Sequence, residues 1–214
     1  MIDFLRDTVE WKNWGMNVLT LSAIGAVVIT VFQAWSFTKQ AMVIWDKKRG
    51  DSVSVMMFGY LLFHLMSFSI YGFAMKSITI MINGLLFVCI VPIVLGLKKF
   101  KKITQLERWC VSAFSILPIL MAVTPYKQTL LLCILAVLLV ALACPAYEIW
   151  RNKDSGVVEV RVTIASMVSN MFWGVYAFMV WDIPLMIFNP LSFILMICTL
   201  FLWIKYRRKP VYVV

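Results

Sequence analysis

Charge is scarce in this chain. Only 14% of its 214 residues are Asp, Glu, Lys or Arg and 63% are hydrophobic, where soluble domains average about 25% charged. No soluble domain of this size has an interior large enough to hide so much apolar surface. Histidine occurs once, at His64, and no Cys-x-x-Cys pair is present, so no zinc set is expected. The five cysteines (Cys89, Cys110, Cys133, Cys144, Cys198) are odd in number and lie in or at the ends of apolar runs. They read as small buried residues and not as a disulfide framework. Asp3, Asp7 and Glu10 precede the first apolar run, where a cleavable signal would carry a basic region. No Asn-x-Ser/Thr sequon occurs, and no Ser/His/Asp set or metal constellation supports catalysis. The expectation is a non-enzyme without cofactor or metal.

What remains is apolar runs. Seven can be marked, at 20–45, 53–75, 78–97, 108–124, 128–149, 160–181 and 183–204, each near the roughly 20 residues a bilayer requires. Lysine and arginine collect on cytoplasmic loops. Fifteen of them fall after the first, third, fifth and seventh runs, and four (Arg6, Lys12, Lys76, Lys127) fall on the opposite side. The imbalance predicts an outer N-terminus and a cytoplasmic C-terminus, and its alternation requires an odd number of spans. The run Lys98-Lys99-Phe100-Lys101-Lys102 reads as a topogenic loop beside anionic lipid, not as a nucleic-acid site. Residues 2–14, with Ile2, Leu5 and Val9 on one stripe, read as a short interfacial helix without chemistry of its own.

An internal repeat organises the chain. Residues 41–82 moved by 105 positions fall without a gap on 146–187, with twelve identities in 42 positions, among them Trp45/Trp150, Lys48/Lys153 and Tyr71/Tyr176. One inserted residue then brings Asn83 opposite Asn189. The shift carries spans 1, 2 and 3 onto 5, 6 and 7, and the unmatched fourth span lets both units enter the membrane in the same orientation. The expected fold is therefore all-α, with seven transmembrane helices in two parallel three-helix repeats joined by a linker helix (3+1+3). Its parts are an outer segment 1–19, a first repeat 20–97, a loop and linker helix 98–127, a second repeat 128–207 and a cytoplasmic tail 208–214. Parallel repeats place a binding site between the halves near the midplane and work by rocking.

The second helix of each unit carries an aromatic-x-x-Tyr-Gly/Ala motif, Phe68-Ser69-Ile70-Tyr71-Gly72 and Trp173-Gly174-Val175-Tyr176-Ala177, and the third helix carries Asn83-Gly84 or Asn189-Pro190. With the 3+1+3 plan, this resembles the SWEET sugar transporters and their PQ-loop relatives over about residues 20–207. The resemblance implies a substrate site of Asn83, Asn189, Trp173, Phe68 and Asn170. It also implies an outer gate of Tyr71, Tyr176 and Asp182, to which the repeat adds Lys76, facing Asp182 across the pseudo-two-fold axis. The family's Pro-Gln signature at the end of the first helix reads Lys39-Gln40 in one unit and Pro145-Ala146 in the other, which leaves Gln40 and Pro145 as hinge candidates. His64 lies mid-span on a face with Tyr60, Ser67 and Tyr71, and an ionisable residue at that depth is a functional candidate.

Asparagine amides suit sugar hydroxyls, an indole face suits a pyranose, and no acidic residue lies at mid-membrane. The expected function is facilitative transport (uniport) of a small neutral hydroxylated solute, a mono- or disaccharide, in the plasma membrane. Its partners are that solute and the lipid bilayer, with no nucleic acid, and self-association stays open. The alternatives on the same architecture are an amino-acid or vitamin transporter of the PQ-loop type and a non-transporting receptor, which would call for buried carboxylates or arginines. The orientation is tested by single cysteines: at Lys101 and Lys209 they should be labelled only from the cytoplasmic side, and at Lys127 only from outside. Outside labelling at position 101 would overturn the seven-span topology.

Overall fold

The computed structural model describes residues 2–50, 53–153 and 160–206. Eleven helices and no strand occur among them: α1 (Ile2–Arg6), α2 (Val9–Lys12), α3 (Val18–Lys47), α4 (Val55–Ala74), α5 (Ile78–Gly84), α6 (Phe87–Phe100), α7 (Gln105–Phe114), α8 (Ile116–Val123), α9 (Lys127–Asn152), α10 (Val160–Val180) and α11 (Ile183–Tyr206). Six stretches are long and apolar enough to cross a membrane: α3, α4, the pair α5–α6, the pair α7–α8, the Thr163–Val180 part of α10, and α11. A seventh, shorter apolar stretch, Lys127–Ala143, lies in α9. The all-α membrane fold expected from the sequence is what the structure shows. Hydrocarbon offers backbone amides no water, so helices that bond internally are the form such apolar runs adopt. The protein is an integral membrane protein, and the tail 208–214 lies outside the described residues.

The chain divides into two compact units, residues 1–131 and 132–214. In the first, α4 is the central element, packed by α5, α6, α7 and α8, while α3 lies on α5 and α6. On α3 the buried positions Leu19, Ser22, Ala23, Ala26 and Thr30 recur every three or four residues, and Val28, Phe32 and Trp35 point outward. Small residues inside and large ones outside are the membrane arrangement, since lipid is as apolar as leucine and close backbone approach supplies the packing. The closest approach is between α4 and α5. A Cβ on Gly72 would lie 2.5 Å from the Met81 nitrogen, and one on Gly84 would lie 2.3 Å from the Ser69 nitrogen. At the far end, Ile44, Leu65, Ile90, Ile93 and Leu97 form a buried core. Trp45 Nε1 donates there to the Pro92 carbonyl at 2.9 Å.

The third span of this unit is not straight. Leu86, Val88 and Cys89 donate to residues three back (Asn83, Leu85 and Leu86) at 2.9–3.1 Å, a 3₁₀ turn between α5 and α6, of the kind that often marks a hinge. The irregularity thus lies just after Asn83 and not at Gln40, since α3 runs unbroken from residue 18 to 47. Pro145 is inside α9, and its side chain lies outside the described residues.

Within the second unit α10 packs along α11. Backbone geometry here repeats that of the first unit. The described non-glycine residues with positive φ are Lys48 (49°), Lys76 (53°), Lys153 (55°) and Trp181 (55°), and they form two pairs, each separated by 105 positions. After each left-handed residue at the end of α4 and α10, the next amide closes back five residues: Ser77 N–H to the Gly72 carbonyl at 2.9 Å, and Asp182 N–H to the Ala177 carbonyl at 3.0 Å. This is the Schellman closure of a helix end. Ser77 Oγ then accepts from Ile80 N–H at 3.1 Å and Asp182 Oδ1 from Leu185 N–H at 3.1 Å. One helix–turn–helix corner has been built twice in the same register.

The glycine contacts lead to a comparison. Gly84→Ala forces a Cβ against backbone and should destabilise by about 1–3 kcal/mol. Gly174→Ala meets only Asn189 Cβ at an ordinary 3.6 Å and should be nearly neutral. Thermal unfolding of the two purified variants should separate them, with Gly84→Ala melting well below the parent. Equal melting would contradict the close approach of α4 and α5.

Candidate functional site

In the first unit the candidate residues gather on one face of α4 and on the last turn of α5. Tyr60, His64, Phe68 and Tyr71 form a ladder of rings with successive centroid separations of 6.2, 5.8 and 6.5 Å. His64, Ser67, Phe68 and Tyr71 are all buried. Ser67 turns its hydroxyl to the Phe63 carbonyl at 2.8 Å, whereas His64 Nδ1 is buried without a hydrogen-bond partner. Asn83 donates from Nδ2 to Thr30 Oγ1 at 2.9 Å and to Gln33 Oε1 at 3.4 Å, and it is half-buried. Its carbonyl oxygen accepts no hydrogen bond among the described residues.

The second unit treats its asparagine in the same way by other means. Asn189 is buried, and its Nδ2 donates to the Leu185 carbonyl one turn back at 2.8 Å. This bond identifies which side-chain atom is the nitrogen, and it leaves Oδ1 without a partner among the described residues. Pro190 follows and has no N–H to return to the Met186 carbonyl, so acceptors are in surplus at this point of α11. On the facing side of α10, Gly174 supplies no side chain that could crowd Asn189. Trp173 is buried with its indole edge-on to Tyr176, at 5.8 Å and 81°. Asn170 donates to Ser192 Oγ at 2.9 Å and ties α10 to α11. Each unit therefore holds an aromatic pair on its second long helix and an asparagine with a spare carbonyl on the helix that follows. An amide oxygen left in this state can accept a hydrogen bond from a ligand hydroxyl, worth about 0.5–1.5 kcal/mol.

The turn between α4 and α5 carries Lys76, one of the expected gate residues. Lys76 gives its ammonium to Asp7, which also pairs with Lys12 at 3.0 Å. The N-terminal segment docks beside Lys76, with Val9 N–H on the Lys76 carbonyl at 3.0 Å, and brings this carboxylate to it. Asp182 is buried and caps its own helix, while Tyr71 and Tyr176 are fully buried. The N-terminal segment is also not one interfacial helix. It breaks at Asp7–Thr8, stacks Phe4 on Phe73 at 4.8 Å, and buries Glu10. Both Glu10 oxygens serve the start of α5, accepting from Ser77 Oγ at 2.9 Å, Ile78 N–H at 3.1 Å and Thr79 N–H at 2.9 Å. Sequence reasoning missed Glu10, Thr30 and Ser192. For Glu10 a signal existed, because the repeat sets Asp182 against Ser77 and so leaves the first unit one carboxylate short.

Residues 128–211 match the sequence family described as a sugar efflux transporter for intercellular exchange. The fold matches the solved 3.7 Å structure of a eukaryotic SWEET transporter, with a TM-score of 0.73 over 88% of this chain and 96% of that one, at 12% identity. No curated relative matches by sequence. The expected resemblance to the SWEET family is thus met in sequence over residues 128–211 and in fold over most of the chain, and the family that matches is one of transporters, not enzymes.

The carboxyl of Asp7, hydrogen-bonded first to Lys76 and then to Lys12, is held below its ordinary 3.8, at about 2. A lowered carboxylate stabilises its docked form above the ordinary value and loses that contribution as pH falls through the lowered one. A carboxyl-carbon NMR titration of Asp7 should therefore show a midpoint near 2, moving up toward 3.8 in Lys76→Met. A midpoint that ignores the substitution would contradict the pairing.

Proposed function

We propose that this protein is a facilitative transporter of a small neutral hydroxylated solute, a mono- or disaccharide, working by alternating access as a uniporter. The observation that carries this reading is the pair of spare amide oxygens on Asn83 and Asn189. Repeat-related residues in different surroundings each commit the NH₂ group to the helix bundle and leave the carbonyl unmatched among the described residues. A sugar hydroxyl is the donor such an oxygen lacks, and the ring C–H face of a sugar suits the indole of Trp173. The match of residues 128–211 to a sugar efflux family supports the same class of solute. Phe68, Tyr71 and Tyr176 would wall the path, with His64 offering an additional polar edge and Asn170 holding α10 to α11 through Ser192.

The uniport reading rests on electrostatics. The ten acidic residues fall in the N-terminal segment, in loops or near helix ends, and no carboxylate stands at mid-membrane to partner His64 in a proton relay. We place the N-terminus outside and the C-terminus in the cytoplasm of a plasma-membrane protein, as lysine and arginine are distributed.

The test is uptake of radiolabelled D-glucose and sucrose into proteoliposomes. Protein-dependent uptake should reach but not exceed equilibrium, and an imposed pH gradient should leave its rate unchanged. Asn83→Ala and Asn189→Ala should each weaken apparent affinity about threefold to tenfold, the value of one neutral hydrogen bond, while both variants fold. Accumulation against the sugar gradient would contradict uniport, and full activity in both variants would remove the asparagines from the path.

A further inference from the structure

The two corners of the repeat solve one problem with different parts. A helix begins with amides that have no partner in the helix itself, and inside a membrane protein these must be met by side chains. In the second unit Asp182 takes the Leu185 amide from its own N-cap position, and Pro184 has no N–H to be met. In the first unit the repeat-related residue is Ser77, whose single oxygen takes the Ile80 amide. The two preceding amides, Ile78 and Thr79, and the Ser77 hydroxyl are taken by Glu10, 67–69 residues earlier in the chain.

We infer that Glu10 is a positioning residue: a detached N-cap that fixes the register of α5 and, through it, the placement of Asn83. Three further observations carry the idea from capping to function. α5 is only seven residues long and ends at the 3₁₀ turn, so a short rigid piece is held at its two ends. Its C-terminal tie is Asn83 to Thr30 on α3, and its N-terminal tie is Glu10. Between them, Gly72 and Gly84 bring the backbones of α4 and α5 into contact, which leaves α5 little room to slide unless the outer tie is released. The N-terminal segment is docked independently of Glu10, by Phe4 on Phe73, by Val9 on the Lys76 carbonyl and by Asp7 on Lys76. Glu10 is therefore delivered to the start of α5 by a segment that has its own anchorage.

The inference concerns the site proposed above, so its test is built to separate the two. Amide hydrogen exchange of the full-length protein in lipid nanodiscs, without sugar, should show residues 78–84 exchanging roughly tenfold faster in Glu10→Ala. Adding Ser77→Asp, which gives the first unit the carboxylate its twin already has, should restore slow exchange in the double variant. In D-glucose uptake, Glu10→Ala should raise KM, and it should add nothing in an Asn83→Ala background, because both act through one contact. If Glu10→Ala does not fold, Glu10→Gln is put through the same comparison. Unchanged exchange over 78–84, or no recovery with Ser77→Asp, overturns the inference whether or not glucose is transported. Exchange as expected but with additive KM effects also overturns it, since Glu10 would then stabilise the helix without positioning Asn83. Absence of any uptake by the parent protein bears instead on the transport reading.

Discussion

Hydrocarbon offers no hydrogen bonds, and this constraint governs the molecule from backbone to site. It restricts the spanning segments to helices and obliges every polar side chain within them to find a partner in the protein. Most do so locally. Thr30, Ser67 and Thr199 each return a hydroxyl to the carbonyl one turn back, at 2.8–2.9 Å. Against that thrift the exceptions stand out. Among the described residues Asn83 and Asn189 pair only through nitrogen, and the buried Thr20 Oγ1 and His64 Nδ1 have no hydrogen-bond partner. Of these, the two asparagine oxygens are the ones that the proposed function assigns to a solute.

The same constraint explains why the corner between the second and third long helix of each unit is built with such care. A helix end inside or beside the membrane exposes carbonyls, and the next helix start exposes amides. A left-handed residue at Lys76 or Trp181 allows the Schellman closure that covers the first set, and a cap covers the second. Lys76 and Trp181 have side chains that ordinarily disfavour positive φ, so the closure matters more than the local strain. The next irregularity along the chain is the 3₁₀ turn after Asn83 in one unit and Pro190, which has no N–H to donate, after Asn189 in the other.

Much of this was legible beforehand. Hydropathy runs marked the seven apolar stretches to within a few residues, and the 105-residue shift, read from identities such as Tyr71/Tyr176, reappears in the structure as paired backbone angles and paired turns. The aromatic motifs and the two asparagines were legible for the same reason, since they recur. What does not recur was hidden. Glu10 precedes the repeat and acts on a helix nearly seventy residues away, and no local pattern announces such a contact. The pairing of Asp7 with Lys76 was hidden for a related reason: the sequence shows which charges share a side of the membrane but not which of them meet. Thr30 and Ser192 look like ordinary span residues, and only the packing of α3 on α5 and of α10 on α11 assigns Thr30 to Asn83 and Ser192 to Asn170.

The central claim is that two repeat-related asparagines, each with an unmatched carbonyl, serve a neutral sugar in a carrier that opens alternately to the two sides. Counterflow tests it most directly. Proteoliposomes loaded with unlabelled D-glucose and diluted into a trace of labelled D-glucose should accumulate label above its equilibrium level and then lose it, because a carrier returning with unlabelled sugar is free to bind label outside. In Asn189→Ala that overshoot should shrink in parallel with affinity. Protein-dependent entry of label that rises to equilibrium without overshoot, under the same load, would contradict alternating access.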